Sequence, residues 1–235
     1  MLKLIKLEWK KNNIGKYIRN AVLLAAVLYL FIFSLAYLGI ANDPDTGVPD
    51  TAPGNETISP SIELFTSMSF LVFTGVMLAS FIVNAYKNKT MNLMFSYPIR
   101  RQKILVSQML AVWIFNFTAL VLTKLLVYGG ILANSRFLES AFPIDYNMTD
   151  PGFYVQLIVK SAVVVSMSFI ALFVGMAMKS SKATIITSFL LIFLTQANIG
   201  DLTMAGSAIL PTILTIVSLV FAFLSVYKAE RKDLM

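Results

Sequence analysis

Hydrophobic positions along the chain fall into long blocks separated by short polar segments. Apolar runs cover about 21–41, 62–85, 104–132 and 153–178, and a last one extends from 183 to 227. Each of the first four reaches the length of about 20 residues needed to cross a hydrocarbon layer of about 30 Å. The third is long enough to tilt or protrude. The last block is too long for one crossing at about 1.5 Å per residue. It is interrupted around Gln196 to Asp201, so it reads as two spans. The piece between them would be short half-helices dipping into the outer leaflet, a form tolerated where protein buries the irregular backbone. Pro211 fits the first position of the last helix, where its missing N–H costs nothing. The pattern therefore predicts an all-α membrane protein forming a single transmembrane domain over 1–235. Its six transmembrane helices are expected at about 20–41, 62–85, 104–132, 153–178, 183–197 and 211–227.

Residues 1–19 follow a different pattern. On a helical wheel Met1, Leu2, Ile5 and Trp9 share one side, while Lys3, Lys6 and Lys10 share another. This predicts an N-terminal amphipathic interfacial helix, with Trp9 at headgroup depth and the lysines toward anionic lipid. The apolar run after it is too long for the core of a signal peptide, and the Ser34 to Ala36 stretch is a poor cleavage site.

Composition narrows the class. The chain is 57% hydrophobic and 13% charged, outside the range of ordinary soluble domains. It has no cysteine and no histidine, which excludes disulfides, thiolate and imidazole metal sites, and nucleophile–base pairs built on those groups. No catalytic set emerges, and no metal site is expected. Asp43, Asp45 and Asp50 do not form an EF-hand loop, because prolines interrupt them and the glycine is misplaced. Gly175 to Ser180 lacks the spacing of a phosphate-binding loop and follows an apolar span rather than a strand.

The net charge of +7 is explained by its placement. With the N-terminus inside, the cytoplasmic segments hold Lys3, Lys6, Lys10, Lys11, Lys16, Arg19, Lys87, Lys89, Arg100, Arg101, Lys103, Lys179, Lys182, Lys228, Arg231 and Lys232, sixteen of the 19 cations. The outside holds only Arg136. Nine of the 12 acids fall outside or at outer span ends: Asp43, Asp45, Asp50, Glu56, Glu63, Glu139, Asp145, Asp150 and Asp201. The inverted arrangement would contradict the positive-inside rule at every loop. Both termini are thus expected in the cytoplasm of a bacterial cytoplasmic membrane, and nucleic acid is not an expected partner.

Two cations remain, Lys124 in the third span and Lys160 in the fourth, each about 10 Å below the outer end of its span. A charge at such depth is costly and usually faces a bundle interior or water. One reading is a lining that attracts an anion, a peptide carboxylate or a lipid phosphate. The others are snorkelling to the outer headgroups and ion pairing with Glu63 or Glu139. Asn116 and Gln196 are similar candidates for the substrate pathway, with interhelical hydrogen bonding as the competing role.

Between the second and third apolar runs lies a basic island from Tyr86 to Lys103. Met91, Met94 and Phe95 stand at i, i+3 and i+4, on one side of a short helix. Thr90 is placed to cap it. Pro98 ends it, because Tyr97 is pushed out of the α region. Lys87, Lys89, Arg100, Arg101 and Lys103 surround it with positive charge and no acid. Composition alone allows a plain basic loop. The run Lys87 to Arg101, K-N-K-T-x-x-L-x-x-S-Y-P-I-x-R, followed at once by an apolar span, resembles the first cytoplasmic loop of type-2 permeases of ATP-binding-cassette transporters. It is most similar to the short permeases of bacitracin and lantibiotic export or self-immunity systems. In number of spans and order of loops the resemblance covers nearly the whole chain.

That resemblance implies several expectations. The loop would hold the coupling helix that sits in a groove of the ATPase subunit, with Thr90, Met91, Met94, Phe95, Tyr97, Pro98, Arg100 and Arg101 as coupling residues. Two permeases, here expected to be a homodimer, would join a dimer of separate ATPase subunits. This chain would carry no cofactor, and ATP and magnesium would bind the partner ATPase. The activity would be export of an amphipathic antimicrobial peptide or peptide antibiotic. Alternatives are export of a lipid or hydrophobic drug, or a non-transporting immunity or scaffold role in the membrane. The family often has an acid just ahead of the loop, where this chain has Asn84 and Ala85, and a cation early in the next span, where it has Gln108. No salt bridge is carried over onto those positions.

Overall fold

The computed structural model describes residues 2–38, 58–87, 101–134, 146–195 and 209–231. Among these, every regular element is a helix. There are seven, labelled α1 (Leu2–Lys11), α2 (Ile14–Leu38), α3 (Ile58–Leu78, continued below), α4 (Arg101–Ala133), α5 (Pro151–Ala177), α6 (Ser181–Thr195) and α7 (Ile209–Arg231). Helix α3 runs on without a break through a π-helical segment, Ala79–Val83, and a last α turn, Asn84–Lys87. Four helices are long and apolar enough to cross a membrane, over Ile14–Tyr37, Ile58–Val83, Gln102–Ala133 and Pro151–Ala177. The apolar parts of α6 and α7, Ser181–Phe193 and Thr212–Tyr227, are shorter. Fifteen residues of α6 rise only about 22 Å, less than a hydrocarbon layer of about 30 Å. Six crossings are therefore not all matched by helices of full length. Residues 196–208, where dipping half-helices are expected, lie outside the described residues.

Local chemistry sets the ends. The pattern predicts one N-terminal helix to residue 19, but α1 ends at Lys11. Asn13 takes a left-handed backbone, φ 49°, which asparagine tolerates better than most residues. Lys16 and Arg19 consequently belong to the first turns of α2. Helix α5 starts with Asp150 as N-cap, its carboxylate accepting from the Gly152 N–H at 2.9 Å, and Pro151 follows at the first turn. It ends in a Schellman arrangement. The Ser180 N–H reaches the Gly175 carbonyl at 3.0 Å and the Lys179 N–H the Met176 carbonyl at 3.4 Å. Lys179 occupies the left-handed position at φ 49°, which glycine usually fills.

Three apolar clusters stack along the bundle. Near the Lys87 and Arg101 ends, Met77, Phe81, Ile82, Leu105, Met109, Val112 and Met176 pack together. In the middle lie Phe70, Leu71, Leu120, Val164, Met167 and Leu191. At the far end lie Ile32, Ile62, Val127, Tyr128, Ile131 and Leu157. Helix α6 seats closely against two glycines. A Cβ on Gly75 would collide with Ser188, and one on Gly175 with Thr184, so the small residues permit the approach. Outward faces of α2, α6 and α7 expose Val22, Leu23, Leu30, Phe189, Phe193, Leu219 and Phe223. In water such a surface would aggregate. Around a membrane-embedded protein it is the ordinary face toward hydrocarbon.

Candidate functional site

Most of the loop expected to couple to an ATPase falls outside the described residues: Thr90, Met91, Met94, Phe95, Tyr97, Pro98 and Arg100, and with them Gln196. Arg101 opens α4. The structure describes the frame on which that loop is mounted. Its two ends are the last turn of α3 and the first turn of α4, and three further elements brace them.

The first brace is α1. Trp9 donates from Nε1 to the Ala111 carbonyl of α4 at 3.0 Å. Glu8 is buried, with 7% exposure, and accepts from Gln108 Nε2 at 3.3 Å and from Asn12 Nδ2 at 3.3 Å, with Lys11 Nζ at 3.7 Å. Ile5 is buried on the same arc. The side of α1 expected to face lipid therefore faces protein, because Ile5, Glu8, Trp9 and Asn12 stand at i, i+3, i+4 and i+7. The exposed side carries Lys3, Lys6 and Lys10 around Leu7.

The second brace is the start of α2. The Tyr17 hydroxyl donates to Ser80 Oγ at 2.9 Å, and its ring meets the Phe81 ring edge-to-face at 5.2 Å. Both contacts land on the π-helical segment. There the Asn84 N–H bonds back to the Ala79 carbonyl, one residue further than in an α-helix. Such segments are rare and recur at functional positions. The third brace is α6, where Ser181 Oγ donates to Asn84 Oδ1 at 2.6 Å. Asn84 and Gln108, two positions where the sequence departs from the permease pattern it resembles, are thus each engaged by another helix. Glu8 was legible as the sole acid of residues 1–19, placed on the apolar arc. The Tyr17 contacts and the π segment carry no local sequence signal.

A second polar centre lies at the far end of the bundle. Lys124 is fully enclosed and donates from Nζ to Glu63 Oε2 at 2.6 Å. Glu63 keeps 21% of its side chain exposed. Its other oxygen accepts from the Tyr128 hydroxyl at 3.4 Å. Tyr146 donates to the Tyr128 carbonyl at 2.8 Å and stacks with Phe153 at its flank. Of the roles open to Lys124, ion pairing with Glu63 is the one it takes. Lys160 lies half-buried on α5, near enough to repel Lys124 electrostatically. Asn116 stands apart from this centre. It is buried mid-helix and donates to the Val112 carbonyl at 2.9 Å and across to Met77 Sδ at 3.3 Å. Among the described residues no group of three or more acidic side chains could hold a metal ion.

Comparison with known proteins gives a distant relative and no family. The chain is 26% identical over 236 residues to the uncharacterized protein YcbO of Bacillus subtilis (strain 168), covering 99% of this chain and 100% of that one. No protein-family model matches. No solved structure matches.

Proposed function

We propose that this chain is the permease subunit of an ATP-driven exporter, with six spans and both termini in the cytoplasm. The observation that carries the reading is the Lys87 to Arg101 pattern, a short apolar face among cations, set between two long apolar helices. Energy would come from a separate ATPase dimer docked under that loop. Cargo would pass between two permeases, and an amphipathic antimicrobial peptide is the class the resemblance favours.

The mounting of the loop supports this reading. A solvated loop needs no rigid base. Here the helix entering the loop is tied to α2 and α6 at Ser80, Phe81 and Asn84, and the helix leaving it to α1 at Gln108 and Ala111. A push on the loop would therefore move five helices together. The absence of cysteine and histidine fits a subunit that does mechanical rather than chemical work.

Docking through Met91, Met94 and Phe95 makes a direct test. Apolar anchors carry most of the energy at such contacts, so Phe95→Ala should cost about 1–3 kcal/mol, hence ten-fold or more in affinity for the ATPase. Met94→Glu should be worse, and Arg100→Ala at the rim should cost less and depend on salt. Co-purification with the ATPase and cargo-stimulated ATP hydrolysis read the outcome. Wild-type values for Phe95→Ala and Met94→Glu together would remove the coupling assignment and leave the scaffold reading.

A further inference from the structure

We infer that Lys160 is the anchoring cation of an oxyanion site at the far end of the bundle, its ligand the carboxylate or phosphate of an amphiphile. As a statement about cargo class, this rests on the exporter reading.

Three charged side chains meet where α3, α4 and α5 pack: two cations and one acid. The acid is committed. Glu63 Oε2 is held by Lys124 at 2.6 Å, and Oε1 receives the Tyr128 hydroxyl. Lys124 has no exposure left with which to meet a ligand. Lys160 has some. It makes no ion pair among the described residues, and its charge is felt by Lys124 as repulsion. Among the described residues one positive charge is thus left over in an apolar setting, where an unpaired charge interacts far more strongly than in water.

Position on the helix separates this from simple snorkelling. Lys160 lies on the arc of α5 shared with Leu157, Ser161, Val163 and Val164, all buried. The exposed stripe of that helix, Tyr154, Val155, Ile158 and Val159, runs along the other side. The ammonium therefore starts from the packed face, beside the Glu63 pair. An ammonium offers three donors and no acceptor, which suits an oxyanion. The apolar walls suit a ligand whose remainder is hydrophobic. The Glu63–Lys124 pair acts as the positioning element. By neutralising Lys124 it leaves Lys160 a single vacancy for negative charge, and it keeps Glu63 from filling that vacancy itself.

The test needs no ATPase, so its failure and the failure of the coupling assignment are separate events. Purified full-length protein in uncharged detergent would be titrated in two arms. One uses short-chain phosphatidylglycerol. The other uses an amphipathic peptide with a free C-terminal carboxylate, against its amidated form. Binding would be read by thermal unfolding through tryptophan fluorescence and by equilibrium titration. At least one arm should bind, and Lys160→Met should weaken it about ten-fold or more, the usual scale of one charge-assisted contact. Lys160→Arg should bind. Retention of binding in Lys160→Arg, and in Val155→Ala on the exposed stripe of the same helix, separates a local charge effect from misfolding. Phosphatidylglycerol alone would name a lipid phosphate, and a carboxylate-dependent peptide signal would name a carboxylate. Overturning results are binding in neither arm, or Lys160→Met binding as tightly as wild type.

Discussion

Glu8 shows how much one buried acid can organise. It sits at 7% exposure between α1 and α4, and the Gln108 amide both meets it and leaves an acceptor behind. Gln108 Oε1 is buried without a hydrogen-bond partner. An unsatisfied buried acceptor costs about 1–3 kcal/mol. Glu8→Gln keeps an oxygen for Gln108 Nε2 and adds an amide that can donate to the orphaned oxygen. Thermal unfolding in detergent should therefore find Glu8→Gln at least as stable as wild type. Glu8→Leu leaves both ends of the Gln108 amide unmatched and should lose about 1–3 kcal/mol. A midpoint for Glu8→Gln clearly below wild type would mean that the carboxylate, through Lys11 and Asn12, dominates instead. At the other pole Glu63 and Lys124 are unequal partners: the acid is partly exposed and the base enclosed. Loss of the acid should be felt more, because it strands the deeper charge.

At the scale of elements, the helix ends are where sequence chemistry speaks most directly. Asp150 followed by Pro151 and Gly152 marks a start, and the carboxylate does cap the Gly152 N–H. Asp150→Ala should cost about 1 kcal/mol. The other end of α5 is less well matched, since Lys179 holds φ 49° without being glycine. Lys179→Gly should gain up to about 1 kcal/mol by removing a left-handed side-chain penalty. Both variants lie at helix termini, away from the Glu8 and Glu63 centres, so their effects on the thermal midpoint should add. A gain for Asp150→Ala or a loss for Lys179→Gly would mean that the ends of α5 are set by packing of α6 and α7 rather than by their own caps. The π segment tells the converse story. Residues Ala79 to Val83 are ordinary helix formers and apolar residues, and the wide turn there coincides with tertiary contacts: Tyr17 at Ser80 and Phe81, and Val83 near Gly175.

For the whole molecule, orientation is the property that charge placement predicts and packing leaves open. The chain has no cysteine, so single cysteines report position cleanly. A cysteine at Thr51 should react with an impermeant thiol reagent in intact cells, and one at Asn92 should not. The reverse labelling would invert the topology and put the basic island outside, beyond reach of an ATPase. The same molecule-wide view accounts for the exposed apolar faces of α2 and α7. They are the expected outer surface of a membrane bundle, and the polar residues of the interior are mostly hydroxyls bonded to their own helix, such as Thr66, Thr74 and Ser161.

What the sequence determined by itself is what depends on local, one-dimensional quantities. Length and apolarity of a run decide whether it can cross a membrane, and four helices follow from the blocks at 21–41, 62–85, 104–132 and 153–178. Helical character follows from the same fact, since a backbone in hydrocarbon must satisfy its own hydrogen bonds. The choice between an anion lining and an ion pair for Lys124 was not local. It required Glu63, 61 residues away, to lie within 2.6 Å. Likewise a helical wheel places Glu8 and Trp9 on one arc of α1, but only the packing of α1 against α4 decides that this arc meets Gln108 and Ala111 rather than lipid. Two environments of equal apolarity, a membrane and a protein core, exert the same hydrophobic pull on a side chain. Shape and hydrogen-bond partners break the tie, and those exist only once the helices are assembled.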